Sequence, residues 1–321
     1  MQRILITGST GQIGSELTIE LRKRFGGENV IATGHKRKPE GELLTSGPFE
    51  FLDLGKEEET ASLVRRHDID VIYHLAAVLS VTGENDPIAA WNVNMGSLVN
   101  ILEVARKEKV GKVFWPSSIA VFGPSSPRVN TPQETILNPS TMYGVTKVSG
   151  ELLCDYYFHK YDLDVRSVRY PGIISSEKLP GGGTSDYAVA IFYDAIRQGR
   201  YICFVRKDTV MPMMYMPDCI DATIGIMTAE ASRVKRHDAY NVAGTSFSAG
   251  ELADEIARCI PGFECTYEPD QRQKIADSWP MSLDDSAARK DWGWKPKYDI
   301  HSMTADMVKK LKVKLSNPGK G

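Results

Sequence analysis

The stretch that decides the fold is RILITGSTGQIG, residues 3–14. A short apolar run meets three glycines in the pattern GxxGxxG, and an amphipathic segment follows at once. Glycines in such a turn let backbone N–H groups approach a pyrophosphate, which then rests on the N-terminus of the following helix. The stretch therefore indicates a nucleotide-binding strand–turn–helix. A turn that simply requires glycine would show the same pattern.

Short apolar runs and amphipathic segments alternate outward from this stretch. The pattern predicts strands at 3–7, 30–33, 49–54, 71–77, 112–117 and 164–170, and helices at 12–25, 56–67, 86–108 and 142–161. Strands that alternate with helices of these lengths form a parallel sheet covered on both faces. With right-handed crossovers the prediction is an α/β fold of the Rossmann type, built on a doubly wound parallel sheet.

The alternation loosens after about Pro171, which suggests a second part of the chain. Strands are predicted at 201–205 and 239–242, with helices from Asp218 and after Ser248. We expect a dinucleotide-binding domain over 1–175, to which later segments return. A smaller, mainly substrate-binding C-terminal annex is expected over 176–315, with a frayed tail over 316–321.

The composition excludes several classes of protein. With 321 residues, 42% apolar and 25% charged, the chain is neither fibrous nor disordered. Its 39 basic and 41 acidic residues give a net charge of −2, so we expect no nucleic-acid or membrane partner. Five cysteines without a CxxC pair argue against a metal site and for reduced thiols. No signal peptide or apolar span of roughly 18 residues is apparent, and the expected location is cytoplasmic.

The end of the second predicted strand departs from the usual dinucleotide pattern. An acidic residue that binds the adenosine ribose is expected about 20 positions after the glycines. Gly34 stands there instead, followed by the basic run HKRK at 35–38. This run either accommodates a 2′-phosphate or is an ordinary solvated loop. Asp53, at the end of the third strand, either meets the adenine or belongs to a surface turn.

A tyrosine, a lysine and two serines suggest proton-transfer chemistry. Tyr143 and Lys147 lie four residues apart in a predicted helix and share one face. A nearby ammonium favours the phenolate and lowers the tyrosine pKa, so that Tyr143 can take a proton from an alcohol. Ser117 and Ser118 end the fifth strand, at the edge where open sheets bind ligands. We expect Ser117, assisted by Ser118, to position the hydroxyl. The alternatives are an exposed helix pair and serines that cap loop backbone.

These motifs together with HLAA at 74–77 and NVN at 92–94 resemble the extended short-chain dehydrogenase/reductase family. The resemblance implies a nicotinamide cofactor beside Tyr143 and Lys147, with Lys147 bonded to the nicotinamide ribose and Asn94 supporting the site. The full set of residues expected to contact the cofactor is Gly8, Thr10, Gly11, Gln12, Ile13, Gly14, His35, Lys36, Asp53, Leu54, Leu75, Ala76, Ala77, Asn94, Tyr143, Lys147, Tyr170, Gly172 and Ile173.

Further strings resemble one branch of that family, the short-chain L-threonine 3-dehydrogenases. They are RYPGIIS at 169–175, PGGGTSDYA at 180–188, PMMYM at 212–216, SWP at 278–280 and DWGW at 291–294. The resemblance implies oxidation of L-threonine at C3 to L-2-amino-3-oxobutanoate, with hydride transfer to NAD⁺, by a homodimer. NAD is the expected cofactor, and NADP stays open because the branch usually has an acid where Gly34 stands.

The same resemblance assigns a substrate pocket. Asp186 suits the ammonium of an amino acid, and the hydroxyls and N–H groups of the glycine-rich loop suit its carboxylate. Gly181–Gly183 form either a lid or a flexible connection. The residues expected to contact the substrate are Ser80, Ser117, Tyr143, Gly182, Thr184, Ser185 and Asp186.

Two other functions stay open. A nucleotide-sugar epimerase or dehydratase would use the same core, but needs a roomier annex with base-stacking and diphosphate-binding residues. A non-catalytic NAD(P)-sensing protein would keep the glycine loop alone, and the intact serine, tyrosine and lysine set argues against it.

Overall fold

A computed structural model describes residues 2–179 and 181–316. The predicted tail at 316–321 lies outside the described residues except for Ser316, which ends the last helix. The strands are β1 (Ile4–Thr7), β2 (Val30–Gly34), β3 (Phe49–Phe51), β4 (Val71–His74), β5 (Lys112–Phe114), β6 (Ser117–Ser118), β7 (Asp164–Arg166), β8 (Val168–Tyr170), β9 (Gly172–Ile174), β10 (Arg200–Cys203), β11 (Val210–Tyr215), β12 (Tyr240–Asn241), β13 (Thr245–Ser248) and β14 (Glu264–Tyr267).

The helices of the described ranges are α1 (Gln12–Phe25), α2 (Gly41–Thr45), α3 (Glu57–Arg66), α4 (Ser80–Asn85), α5 (Pro87–Lys107), α6 (Met142–Tyr161), α7 (Tyr187–Gln198), α8 (Met216–Thr228), α9 (Ala249–Cys259), α10 (Arg272–Ser278), α11 (Ser286–Trp292) and α12 (Ile300–Ser316). None of these is long and apolar enough to cross a membrane.

The main sheet confirms the predicted parallel, doubly wound architecture. Its six strands run in the order β3-β2-β1-β4-β5-β7 and all pair in parallel. Strands β1, β2 and β4 are buried throughout, as a sheet covered on both faces requires. The strand order changes direction between β1 and β4, so a ligand crevice is expected beyond their carboxyl ends.

Helices cover both faces of this sheet. On one face, Leu17 and Leu21 of α1 pack with Ile224 of α8 against the sheet. On the other face, Leu63 of α3 and Leu98 of α5 belong to a second buried cluster with α6. Each cluster joins side chains from the sheet to the helices above it, which fixes where the loops at the carboxyl edge can lie.

Two predicted strands are each split in two by the structure. The stretch at 112–117 divides into β5 and β6, because Pro116 has no N–H to donate to a neighbouring strand. The stretch at 164–170 divides into β7 and β8. Strands β6, β8 and β12 then form a short parallel sheet of their own, in the order β12-β8-β6. Strand β12 thus returns from the C-terminal part of the chain to pair with β8.

The C-terminal part has its own core. Strands β13, β11 and β9 form one sheet, and β10 and β14 form another. Helices α7, α9 and α12 pack around a buried cluster that includes Phe192, Leu252 and Met307. The boundary at residue 175, between a nucleotide domain and an annex, stays a prediction.

Candidate functional site

The glycine loop after β1 leaves no room for larger residues at two of its positions. Gly8 has a φ of +70°, and a Cβ there would lie 2.7 Å from the backbone nitrogen of Ala76. A Cβ on Gly14 would lie 2.2 Å from the carbonyl oxygen of Gly8. The loop therefore packs closely against its own backbone and against the chain after β4, where Leu75 and Ala76 were expected to meet a cofactor.

The start of α1 offers unpaired donors to an anion. Gly11 is the N-cap and has no side chain to cap the first turn. Gln12 Nε2 is buried and has no hydrogen-bond partner among the described residues. Free N–H groups at a helix N-terminus bind phosphate. The glycine loop and this donor set therefore fit the pyrophosphate of a dinucleotide.

Two polar side chains fix the ends of the elements around this crevice. The two ring nitrogens of His74 form hydrogen bonds with Thr7 Oγ1 at 2.7 Å and with Ser97 Oγ at 3.2 Å. Burial lowers the pKa of His74 to about 3, so its ring is neutral. Asn94 receives a hydrogen bond from Val78 N at 2.7 Å and donates to Thr146 Oγ1 at 3.2 Å. The amide thereby joins the loop after β4 to α6, which is the supporting position expected for it.

Tyr143 and Lys147 lie in the first turns of α6. The helix begins cleanly because Thr141 Oγ1 accepts from Gly144 N at 3.1 Å. Lys147 is 4% exposed and donates from Nζ to the carbonyl oxygen of Pro116 at 2.5 Å. Its Nζ lies 5.4 Å from the centre of the Tyr143 ring. Lys147 is thus part of the interior and Tyr143 is partly buried, which argues against an exposed helix pair.

The predicted lowering of the tyrosine pKa is wrong for the protein alone. Burial raises the pKa of Tyr143 to about 12, against the opposing effect of a hydrogen bond with Ser118. Burial also lowers the pKa of Lys147 to about 7. Loss of hydration disfavours both charged forms, and a lysine whose own ammonium is destabilised cannot compensate the phenolate. Tyr143 is therefore protonated at neutral pH.

The two serines have different hydrogen-bond partners, and the roles expected for Ser117 and Ser118 stay predictions. Ser117 is 2% exposed, and its hydroxyl donates to Glu151 Oε1 at 2.5 Å. Its hydrogen is therefore donated to a buried carboxylate, while its oxygen can still accept from another hydroxyl. Ser118 makes the hydrogen bond with Tyr143. It also caps the following turn by accepting from Ala120 N at 3.2 Å.

A buried ion pair beneath the site has no counterpart in the sequence expectations. Arg169 of β8 and Glu151 of α6 form two parallel hydrogen bonds, from Nε to Oε1 and from Nη2 to Oε2, both 2.8 Å long. Arg169 Nη1 also donates to the carbonyl oxygen of Gln133 and to Asn241 Oδ1. The sequence offered one indication of this ion pair, because Glu151 lies one helical turn after Lys147 on the same face of α6.

The glycine-rich loop folds over α4 and brings several expected substrate residues together. Ser80 Oγ and Thr184 Oγ1 are 3.5 Å apart and both side chains are buried. Asp186 Oδ2 accepts from Gly182 N at 2.9 Å and from Gly183 N at 2.7 Å. Burial raises the pKa of Asp186, and these two backbone donors oppose the rise. The loop N–H groups expected to bind a substrate carboxylate are therefore taken by Asp186.

Several of the other residues expected at the site lie in or beside β8 and β9. Ser185 lies beside β9, since a Cβ on Gly172 would be 2.8 Å from Ser185 Cβ, and Ile173 follows within the same strand. The hydroxyl of Tyr170 bonds to Thr223 of α8 inside the core, and the expected contact of Tyr170 with a cofactor stays a prediction.

The residues expected at the adenosine end of the crevice lie in turns or are exposed. Asp53 Oδ1 accepts from Gly55 N at 3.0 Å, as a turn aspartate does. The carbonyl oxygen of Leu54 accepts from Asn100. Ala77, His35 and Lys36 are exposed, and Ile13 is partly buried. In residues 2–179 and 181–316 no three His, Cys, Asp or Glu side chains come together as a metal site would require.

Comparison with known proteins gives one family. The model of the NAD dependent epimerase/dehydratase family matches residues 4–243. A relative from Staphylococcus haemolyticus, named an uncharacterized epimerase/dehydratase, is 48% identical over 318 residues, which span 99% of this chain and 100% of that protein.

Solved structures of similar chains extend this likeness. An L-threonine dehydrogenase from Cupriavidus necator, in its holo form, is 49% identical with a TM-score of 0.94, over 96% of this chain and 99% of that one. The L-threonine dehydrogenase of Clostridium difficile is 49% identical with a TM-score of 0.95, over 98% of both chains. A monomeric L-threonine 3-dehydrogenase of metagenomic origin is 46% identical with a TM-score of 0.93, over 97% and 99%.

Replacement of Glu151 by glutamine should test the buried ion pair. Glu151→Gln leaves the buried Arg169 guanidinium with only the more distant Asp238, at 4.0 Å, as a counter-charge, so the free energy of unfolding should fall by about 3–5 kcal/mol in denaturant titrations. Glu58→Gln is the matched control, since Glu58 pairs with Arg65 at an exposed site and its loss should cost less than about 1 kcal/mol. Equal losses in the two variants would contradict the role given to Glu151.

Proposed function

Because this chain belongs to the NAD dependent epimerase/dehydratase family, we propose that it oxidises L-threonine at C3 to L-2-amino-3-oxobutanoate with NAD⁺ as the hydride acceptor. The observation that carries the proposal is the contact between the elements that hold two sets of residues, since Glu84 of α4 accepts from Met142 N at the start of α6 over 2.7 Å. One set, Tyr143, Lys147 and Ser118, suits proton removal from an alcohol. The other, the loop from Gly182 to Asp186 over Ser80, suits a small polar substrate. Solved chains of nearly equal length, called L-threonine dehydrogenases, support the same choice.

The proton-transfer step rests on Tyr143. Its phenolate form is the general base that takes the proton of the C3 hydroxyl of threonine, and such bases contribute about 10²–10⁴-fold to rates. Ser118 orients the same oxygen through its hydrogen bond with Tyr143. Lys147 donates to the carbonyl oxygen of Pro116, and its Nζ lies 5.4 Å from the centre of the phenol ring. When bound, the nicotinamide supplies the hydride acceptor.

The substrate end of the proposed pocket uses the loop over α4. Asp186 Oδ2 accepts hydrogen bonds from the loop backbone, while Asp186 Oδ1 receives no hydrogen bond from any residue in the described ranges. That free oxygen is suited to the ammonium of threonine. The hydroxyls of Ser80 and Thr184 are suited to its carboxylate. Asp186 thus orders the loop and binds substrate with different oxygens.

The decisive experiment measures NADH formation from a panel of 3-hydroxy amino acids, with UDP-sugars assayed in parallel. Threonine should be turned over, and Tyr143→Phe should lose about 10²–10⁴-fold in kcat while still binding NADH. Since Tyr143 must lose its proton and its pKa is raised, wild-type kcat/KM should rise with pH through the neutral and alkaline range. Turnover of a UDP-sugar without threonine oxidation would instead establish a nucleotide-sugar enzyme, and NADH binding without any turnover would establish a sensing protein.

The two serines offer a matched pair of variants. Ser118→Ala should lower kcat with threonine by about 10-fold or more, because the reacting oxygen loses a hydrogen bond made in the transition state. Ser117→Ala should leave kcat within about threefold and act mainly on stability, because it removes a donor to buried Glu151. The reverse ranking in steady-state kinetics would restore Ser117 as the residue that positions the hydroxyl.

We also propose that the chain forms a homodimer through α5 and α6. These helices pack together and leave apolar side chains in solvent, with Leu152 67%, Trp91 39% and Val99 37% exposed. A groove of about 650 Å³ runs between them, lined also by Met95 and Leu153. A contiguous apolar face on a helix pair suits a self-complementary contact with a second copy of the same face.

Leu152→Glu should test this contact. A carboxylate in the centre of a self-complementary apolar face is repelled by its own copy, so the variant should elute as a monomer where the wild type sediments as a dimer. Ile202→Glu, at an equally exposed position on β10, should leave the dimer intact. A monomeric wild type in sedimentation velocity, like the metagenomic relative described as monomeric, would overturn the proposal.

A further inference from the structure

Helix α4 contacts both the glycine-rich loop and the helix that carries Tyr143. The loop rests on α4 through two contacts. Val81 N donates to the carbonyl oxygen of Gly182 at 3.3 Å, and Ser80 Oγ lies 3.5 Å from Thr184 Oγ1. The same short helix also packs against α6. The position of the loop and the position of α6 are therefore both set against one helix of six residues.

One side chain of α4 reaches the first turn of α6. Glu84 is exposed, and its Oε1 accepts a hydrogen bond from Met142 N at 2.7 Å. Met142 is the first residue of α6 and directly precedes Tyr143. The first N–H groups of a helix have no acceptor within the helix, and a carboxylate also suits the positive end of the helix dipole. Glu84 therefore satisfies a donor that α6 itself cannot satisfy.

The start of α6 also has a hydrogen bond that does not involve α4. Thr141 Oγ1 accepts from Gly144 N at 3.1 Å, so the helix can begin without Glu84. Because Glu84 is exposed, water can take the place of its oxygen at Met142 N with little loss of stability. A water molecule would not tie the first turn of α6 to α4. The contribution of Glu84 is therefore to where this turn lies, and less to whether it forms.

We propose that Glu84 is a positioning residue, which fixes the first turn of α6 to α4 and so holds the Tyr143 hydroxyl at the substrate bound by the loop. Asp186 orders the loop, the loop contacts α4, and Glu84 connects α4 to Met142. The inference rests on the proposed function, since the reacting group is the C3 hydroxyl of threonine. Proton transfer requires the base within hydrogen-bond reach, so a small displacement of Tyr143 lowers the rate.

Steady-state kinetics with threonine compare two replacements of Glu84. Glu84→Ala removes the acceptor, and kcat should fall by about 10-fold because Tyr143 is no longer held at the reacting hydroxyl. Glu84→Gln keeps a side-chain oxygen that can accept from Met142 N, so its kcat should stay within about threefold of the wild type. In both variants the affinity for NADH and the midpoint of denaturant unfolding should hardly change, because the site of replacement is exposed.

Amide hydrogen exchange followed by NMR measures the same hydrogen bond without any turnover. In Glu84→Ala the amide of Met142 should exchange about 10-fold faster, because it loses a charged acceptor, and Glu84→Gln should restore protection. Asp284→Ala is the matched control, since Asp284 Oδ1 accepts from Ser286 N at the start of α11 over 2.9 Å. It should speed exchange at Ser286 and leave kcat with threonine within about twofold of the wild type.

A double-mutant cycle tests the connection between the loop and α6. Glu84→Ala is combined with Asp186→Asn, which weakens the order of the loop. If both residues act through one series of contacts, the double variant should lose less in kcat/KM than the product of the two single losses. Losses that multiply would overturn the connection, because Glu84 would then act on Tyr143 independently of the loop.

The inference is overturned if Glu84→Ala oxidises threonine as fast as the wild type. It is also overturned if Glu84→Gln loses as much kcat as Glu84→Ala, since the charge of Glu84 and not its hydrogen bond would then matter. A wild type that does not oxidise threonine contradicts the proposed function alone, and the kinetic comparison then uses whichever substrate of the panel is turned over. Unchanged exchange at Met142 in Glu84→Ala would overturn the inference whatever the substrate.

Discussion

The site depends on the buried ion pair between Glu151 and Arg169. Both side chains are at most 3% exposed, and their two hydrogen bonds lock one face of α6 against β8. Glu151 also receives the hydroxyl of Ser117, and Arg169 reaches Asn241 of the returning strand β12. A buried pair is weak evidence for stability in itself, because desolvation offsets its attraction. Its consequence here is geometric: three elements distant in sequence are held in one register.

That register determines which side chains face the crevice. Glu151 lies one helical turn after Lys147, and its ion pair fixes the position of α6. Lys147 then donates to the carbonyl oxygen of Pro116, and Tyr143 forms its hydrogen bond with Ser118. Ser117, one residue earlier, points to the opposite side of its strand and into the ion pair, because successive strand residues alternate. The interior that orders these groups also removes their hydration, which explains why Tyr143 and Lys147 both shift toward their neutral forms.

The two ends of the crevice are built by different means. At the adenosine end, the exposed basic run follows β2, and the neighbouring strand β3 pairs with β2 and leads into Asp53 and Leu54. At the substrate end, the loop is ordered by Asp186, which binds its own glycines, and by its contact with Ser80 of α4. The glycine-rich segment is therefore better described as a folded loop than as a flexible connection.

The sequence by itself determined the parallel sheet, the bounds of α1 and α6, the glycine loop and the tyrosine–lysine pair. Each of these features can be predicted from the local periodicity of apolar residues or from the spacing of a few residues. Three features required the tertiary structure. The partner of the Ser117 hydroxyl is Glu151, which lies 34 residues away. The partner of the Tyr170 hydroxyl is Thr223, which lies 53 residues away. The direction of the Tyr143 pKa depends on burial, which spacing does not report. Local patterns specify elements, whereas hydrogen-bond partners and desolvation are set by which elements pack together.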